Sequence, residues 1–277
     1  MFCAVTVDIM LLFIPGDLTV NKIEEFRKLH QQVDPLLVGN VWDTRSALVC
    51  ESAGYSVIGT SSAAIADNLG YADGEQMSFE ELLLVVKAIL RNTSVPLTVD
   101  IEGGYSREVA EVTRNLKQLV KLGVVGVNIE DSVVDGNGTR SIVDVNEVCH
   151  LIEQVKRNLA VEKFDVFMNV RTDHFIMGLD NPVEETIRRA HKYEKAGADG
   201  LFAPCIIGAG DIKKVVASTK LPLNVMAVPG LPSFAELKRL GVKRISAGPF
   251  IYEKVKKGLI GTVEDVVINQ SFSTLFN

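Results

Sequence analysis

The chain has 277 residues, 47% hydrophobic and 23% charged, with a formal net charge of −6, long enough for one large barrel or two modest domains with ample core. The acidic balance, with no run of Lys or Arg, argues against a nucleic-acid footprint. The four cysteines (Cys3, Cys50, Cys149 and Cys205) lie far apart without metal-ligand or redox spacing, which points to reduced thiols and a cytoplasmic protein.

From the amino terminus, Met1 to Pro15 is apolar but lacks a basic flank and is interrupted by Asp8. It reads as part of an amino-terminal extension, residues 1–20, rather than a signal peptide or membrane span. A single domain is expected over 21–277, and no other stretch is apolar enough to enter a membrane.

Further along, apolar runs of strand length alternate with segments of helical period. Strands are predicted at Leu36–Trp42, Ser56–Thr60, Leu97–Glu102, Gly126–Glu130, Val166–Arg171, Gly200–Pro204, Leu223–Ala227 and Arg244–Ala247. Helices are predicted over Ser78–Arg91, Arg107–Leu122, Asn146–Leu159, Pro182–Ala196 and Pro232–Leu240. Gly54, Gly123, Gly197 and Gly241 each follow a helical pattern just before a strand, as a glycine ending a helix does. Asp180-Asn181-Pro182 and Pro232-Ser233 read as helix starts. Eight such units without a linker favour a (β/α)₈ TIM barrel over a doubly wound sheet, and no nucleotide-binding glycine fingerprint supports the latter.

Function in a barrel belongs to the carboxyl ends of the strands. Those positions carry Asp43, Ser61, Ser62, Asp100, Glu102, Glu130, Asp131, Arg171, Asp173 and Cys205. Alternation along a strand puts Asp100 and Glu102 on one side, and Asn128 with Glu130. If those two strands are parallel neighbours, three carboxylates converge, an arrangement that holds a cation or keeps a proton. All-oxygen donors favour Mg²⁺, with Mn²⁺ as substitute, over zinc. Arg171 either pairs with Asp173 or binds substrate, and the second is the expectation. Cys205 reads as a small buried hydrophobe. His150 and His191 fall in helical segments and read as surface or packing residues, while His174 lies near the rim.

Several of these segments, in order and spacing, resemble the isocitrate lyase/phosphoenolpyruvate mutase superfamily. They are Gly39-Asn40-Val41-Trp42-Asp43, Thr60-Ser61-Ser62-Ala63, Leu69-Gly70-Tyr71-Ala72-Asp73-Gly74, Asp100-Ile101-Glu102-Gly103-Gly104-Tyr105, Val127-Asn128-Ile129-Glu130-Asp131, Asn169-Val170-Arg171-Thr172-Asp173, and Asn224-Val225-Met226 through Gly248-Pro249. The resemblance spans about Phe26 to Phe250. It implies a (β/α)₈ barrel, commonly a homotetramer whose subunits exchange the last barrel helix. It further implies Mg²⁺ held largely through water by Asp100, Glu102 and Glu130, with Asp73 as a further acid near metal and substrate and with Asp73 and Arg171 as the catalytic residues. Ser61, Ser62 and Ala63 would contact a substrate carboxylate, and Arg171 would pair with it. Glu102 stands where many relatives carry Asp.

After Glu130-Asp131 the chain departs from that pattern. The carbon–carbon lyases carry a Lys-Lys/Arg-Cys-Gly-His loop there, and the phosphonomutases a Lys-x-Asn-Ser motif. This chain reads Ser132-Val133-Val134-Asp135-Gly136-Asn137-Gly138-Thr139-Arg140. Decarboxylation of a 3-carboxy-2-oxo acid needs no loop acid, because CO₂ leaves without proton transfer. The expectation is therefore a Mg²⁺-dependent lyase that cleaves or decarboxylates a small 2-oxo or 2-hydroxy (di)carboxylate such as oxaloacetate. Alternatives are a phosphonomutase or carbon–phosphorus hydrolase, and a non-catalytic member that binds a 2-oxo acid. Expected partners are the small anionic substrate and other copies of the chain, with no nucleic acid and no membrane.

Overall fold

Eight of the short apolar runs become parallel strands that close on themselves. The structure, a computed structural model, describes residues 15–276. In chain order the elements are α1 (Pro15–Leu29), β1 (Leu36–Val41), α2 (Thr44–Ser52), β2 (Ile58–Thr60), α3 (Ser62–Leu69), α4 (Phe79–Leu90), β3 (Leu97–Asp100), α5 (Val109–Leu122) and β4 (Gly126–Glu130). A small hairpin, β5 (Ser132–Val134) and β6 (Arg140–Ile142), then precedes α6 (Val145–Val161) and β7 (Phe167–Arg171). The chain continues through α7 (Pro182–Ala196), β8 (Gly200–Phe202), α8 (Ala209–Ser218), β9 (Leu223–Met226), α9 (Phe234–Leu240), β10 (Arg244–Ser246) and α10 (Phe250–Asn269). Around the barrel the strands run β1, β2, β3, β4, β7, β8, β9, β10 and back to β1.

Most of the expected extension, residues 1–14, lies outside the described residues, and α1 runs unbroken past position 20. The expected strands form, several a residue or two shorter at their ends. One shortening matters: β3 ends at Asp100, and Glu102 sits beyond it in the left-handed region at φ 50°. Strand alternation therefore does not aim Glu102. The β5–β6 hairpin adds to the expected elements, its two three-residue strands flanking Asp135-Gly136-Asn137-Gly138. Helix ends agree with the turn chemistry: Gly123, Gly197 and Gly241 cap α5, α7 and α9 in the left-handed conformation.

Two apolar clusters hold the barrel. The larger lies between the outer barrel face and the helices, as Leu82, Val86, Leu116, Ile152, Val155 and Tyr193 illustrate. The smaller closes the amino-terminal mouth, where Ile23 and Phe26 of α1 meet Leu36, Val38, Val57, Val125 and Phe167. Phe26 and Phe167 pack edge-to-face at 5.1 Å. Above this plug the interior turns polar. Asn169 Nδ2 donates to Asn128 Oδ1 at 2.9 Å and to Asn224 Oδ1 at 3.1 Å, and Arg244 donates to Asn128 Oδ1 at 3.2 Å. Burial lowers the Arg244 guanidinium to about 10. This polar layer is the floor of the site.

Candidate active site at the carboxyl-terminal mouth

A cavity of 350 Å³ opens at the carboxyl ends of the strands, at the small end of the roughly 300–1,000 Å³ typical of ligand pockets. Thr60, Ser61, Ser62, Ala63, Asp73, Asp100, Asn128 and Arg171 line one part of it. A larger cavity, 490 Å³, opens at the opposite end beside Arg27, Phe167 and Lys243. Two of its cations are already engaged, Arg27 with Asp165 and Asp199 and Lys243 with the Gln32 carbonyl, and it lies away from the carboxyl ends of the strands. We therefore assign the site to the smaller cavity.

Three sequence-predicted residues sit on one helix start. Ser61 caps α3 and accepts from Ala64 N–H, so Ser62 and Ala63 occupy the first turn. Their N–H groups have no intrahelical acceptor and, with the helix dipole, favour an anion. Asp100 follows on β3, in register with Asn128 on β4. Thr60 Oγ1 accepts from Asp100 N–H at 2.8 Å, and the Asp100 carboxylate accepts from Glu102 N–H at 3.1 Å. No cationic side chain among the described residues hydrogen-bonds it. Burial pushes its carboxyl up, against the pull of Arg171.

Glu102 and Glu130 do not line the cavity. Glu102 turns to accept from Glu75 N–H and from Tyr105 Oη. Burial, then Asp73, Asp100 and Glu130, push it up to about 8. Glu130 lies between two guanidiniums, Arg171 at 2.9 Å and Arg140. Burial still pushes Glu130 up to about 7. Arg171 comes from the end of β7, in register with Glu130. It bonds Glu130 and Asp173 while still lining the cavity, so the expected choice between structural pairing and substrate binding is not exclusive. Burial lowers its pKa, but Glu130 and Asp173 outweigh that and raise it.

Sequence reasoning missed Arg140. Carried by β6, it reaches Glu130, Asp173 at 3.1 Å, Ser132 Oγ at 2.7 Å and Asp73 at 3.1 Å. It ties the hairpin to the loop holding Asp73, whose side chain is 44% exposed. Asn40 was also passed over as a working residue. Its Oδ1 accepts from Ala247 and Gly248 N–H at 2.7 and 3.0 Å, fixing the turn that leads into α10. The other candidates play structural parts. Asp131 is buried against Arg189, Tyr193 Oη and Asp173 N–H. His174 meets Thr172 Oγ1, and His191 meets the Ser218 carbonyl.

The far wall is apolar. Phe202 ends β8 and Pro204 follows it, Met226 ends β9, and Pro249 and Phe250 follow β10. Gly248, at φ 57°, lets this wall close up, because a Cβ there would lie 2.5 Å from Met226 Sδ. Cys205 also lines the cavity, in the left-handed region at φ 66°. Burial raises its thiol pKa, which keeps it protonated rather than nucleophilic.

Among the described residues, no three His, Cys, Asp or Glu side chains are grouped closely enough to hold a metal ion. The acids nevertheless suit a hard cation held through water. All the donors are oxygens, and Asp100, Glu102 and Glu130 are each raised in a way that nearby positive charge would relieve.

Comparison with known proteins agrees with this architecture. The profile of the Phosphoenolpyruvate phosphomutase family matches residues 26–267. An uncharacterized protein of Mycobacterium tuberculosis is 32% identical over 227 residues, 82% of this chain and 83% of that protein. The 2-methylisocitrate lyase of Escherichia coli is 27% identical over 218 residues, 76% of this chain and 71% of that enzyme. A crystal structure of a candidate phosphonomutase from Burkholderia cenocepacia superposes with a TM-score of 0.82 at 36% identity, covering 88% of this chain and 99% of that one. With barrel, motif order and profile in agreement, the chain belongs to the isocitrate lyase/phosphoenolpyruvate mutase superfamily.

Proposed function

We propose that this protein is a Mg²⁺-dependent carbon–carbon lyase, with Mn²⁺ as substitute, that cleaves or decarboxylates a small 2-oxo or 2-hydroxy acid. The observation that carries the reading is the buried Asp100 carboxylate, without a hydrogen-bonded cation, in the same cavity as the start of α3. The N–H groups of Ser62 and Ala63 and the Ser61 hydroxyl receive the substrate carboxylate. Arg171 adds positive charge from the opposite strand end, held in place by Glu130 and Asp173. Asp100, with Glu102, Glu130 and Asp73 around it, would hold the cation largely through water. When bound, that cation supplies Lewis-acid stabilisation of the negative charge that develops as the bond beta to the 2-oxo group breaks.

The hairpin favours decarboxylation within this class. Ser132–Ile142 contains no Cys, His or Lys, so the position of the family's loop acid offers no matching proton donor. Loss of CO₂ needs none. Likeness to the candidate phosphonomutase supports a second reading, phosphorus–carbon chemistry, which the missing Lys-x-Asn-Ser motif weakens. Homo-oligomerisation, as a tetramer exchanging α10, belongs to the same proposal. Only Tyr252 of α10 is buried, while Val255, Leu259, Val263 and Val267 are exposed. Residence in the cytoplasm fits the free thiols of Cys50, Cys149 and Cys205, and no helix among the described residues is long and apolar enough to cross a membrane.

The test is pyruvate or CO₂ release from oxaloacetate, 2-methylisocitrate, isocitrate and malate-type acids, with Mg²⁺ and with EDTA. Turnover that EDTA abolishes and Asp100→Ala removes from folded protein is expected. No release from any of them, together with phosphonate turnover in a phosphorus NMR assay, would replace the lyase reading with the second one.

A further inference from the structure

We propose that Arg140 is a positioning residue whose guanidinium competes with the divalent cation for Glu130 and Asp73, so that seating the β5–β6 hairpin and binding the cation oppose one another. The inference rests on the proposed cation site and deepens it. Both Glu130 oxygens are held by guanidiniums: Arg171 Nη1 takes Oε2 at 2.9 Å, and Arg140 Nη1 takes Oε1. Through Nη2 the same Arg140 reaches Asp73 Oδ2 at 3.1 Å. One side chain therefore occupies oxygens on two of the acids assigned to the cation, whose water shell needs those oxygens as acceptors.

The two arginines are not equivalent. Arg171 stands on barrel strand β7 and donates to both oxygens of Asp173, which makes it a fixed part of the rim. Among the described residues, β5 and β6 form a sheet of their own, apart from the barrel. Its seat on the neighbouring loop is small. Val134 packs on Gly74, where a Cβ would lie 2.6 Å from the Val134 Cβ, and Arg140 pairs with the half-exposed Asp73 beside it. Partly exposed ion pairs hold weakly. A divalent charge among these acids repels both guanidiniums, and the one on the lightly seated element yields. Asp173, which Arg140 also reaches, keeps Arg171 when Arg140 leaves, and Glu130 exchanges one cation for another.

The test is calorimetric titration of Mg²⁺ into the full chain and its Arg140→Met and Arg140→Lys variants without substrate, paired with limited trypsin digestion of the unsubstituted protein at matched ionic strength. Trypsin cuts the Arg140–Ser141 bond once the guanidinium has left its carboxylates, so mass spectrometry of that cut reads release of the hairpin. Arg140→Met should bind Mg²⁺ at least about ten-fold more tightly, the scale of removing one positive charge beside a divalent ion, while Arg140→Lys, which keeps the charge, stays within about three-fold of the unsubstituted protein. Saturating Mg²⁺ should speed the cut several-fold. A merely structural Arg140 predicts the opposite sign, because loosening the hairpin would loosen the acids it orders. Equal or weaker Mg²⁺ binding by Arg140→Met, or a cut rate indifferent to Mg²⁺ in protein that binds it, overturns the competition and leaves the cation site standing. Mg²⁺ binding by neither the unsubstituted chain nor Arg140→Met overturns the cation site and this inference with it.

Discussion

The mouth of the barrel has two unlike halves built on the same backbone. From β2 through β7 the rim carries Ser61, Ser62, Asp100, Glu130 and Arg171, and its charges are buried, crowded and cross-linked. From β8 through β10 it carries Phe202, Pro204, Met226 and Phe250. Parallel strands in register present both sets, so the contrast lies in residue type alone. One half concentrates ionisable side chains and the other carries mostly apolar ones.

The sharpest way to break the charged half is Asp100→Asn, which keeps shape and removes the charge. Turnover should fall by about 10²–10³-fold or more, the scale of losing a preorganised electrostatic group. The melting temperature should hold or rise, because burial disfavours the Asp100 carboxylate in the folded protein. Steady-state kinetics with a thermal melt on one preparation checks both, and a fall in melting temperature with activity intact would contradict the assignment.

Next in size is a pH effect belonging to this half alone. Folding raises Glu102 from 4.5 to about 8 and Glu130 from 4.5 to about 7. The native state therefore binds more protons than the unfolded state. This contribution to stability is complete below pH 4.5 and is lost as pH rises through about 7 and then about 8. The loss is on the order of a few kcal/mol in the absence of divalent cation. Urea unfolding across that range should show it, Glu102→Gln should flatten it, and Mg²⁺ should oppose it. A profile equally steep in the Gln variant would mean that other groups are responsible.

Arg140→Met sharpens the comparison by removing the hairpin's link to the acids. The change leaves Glu130 and Asp173, at 4% and 0% side-chain exposure, without one of their cations. Breaking a fully buried pair costs roughly 3–5 kcal/mol, but Arg140 is 20% exposed and Arg171 remains, so about 2 kcal/mol is expected. Thermal melts measure it. The tip at 135–139 should also become more open to protease, since the same guanidinium anchors β6 to Asp73.

The two halves were unequally legible in the sequence. Asp100 and Glu130 stood out because an acid closing an apolar strand is chemically unexpected, and the register of β3 with β4 places both strand ends at the same mouth. Phe202 and Met226 gave no such signal: each merely continues an apolar run, and periodicity does not separate a side chain lining a cavity from one packed in the core. Glu102 was misaimed because alternation was carried past the end of β3 into a left-handed residue. Arg140 was invisible for another reason. Its partners lie 10, 33 and 67 residues away, and two three-residue strands too short to show a period bring them together. Fold class needed only repetition, whereas the site needed long-range geometry.

The smallest effect tests a feature that both halves share. Just past a strand end each has a non-glycine residue in the left-handed region, Glu102 after β3 at φ 50° and Cys205 after β8 at φ 66°. For an L-residue that conformation costs about 1–2 kcal/mol. On the charged half the same backbone turn brings the Glu102 carboxylate to Glu75 N–H beside Asp100, where the proposed function needs it. The Cys205 side chain, its thiol pKa raised by burial, makes no comparable hydrogen bond among the described residues. Cys205→Gly should therefore stabilise the fold by about 1 kcal/mol, a rise of roughly 2–4 °C in melting temperature for a chain of this size, with turnover unchanged. Glu102→Gly relieves the same backbone strain and should nevertheless lose metal affinity. If Cys205→Gly lowers stability or turnover, the cysteine side chain contributes packing or contact that outweighs its strain, and the apolar half is more specialised than its composition indicates.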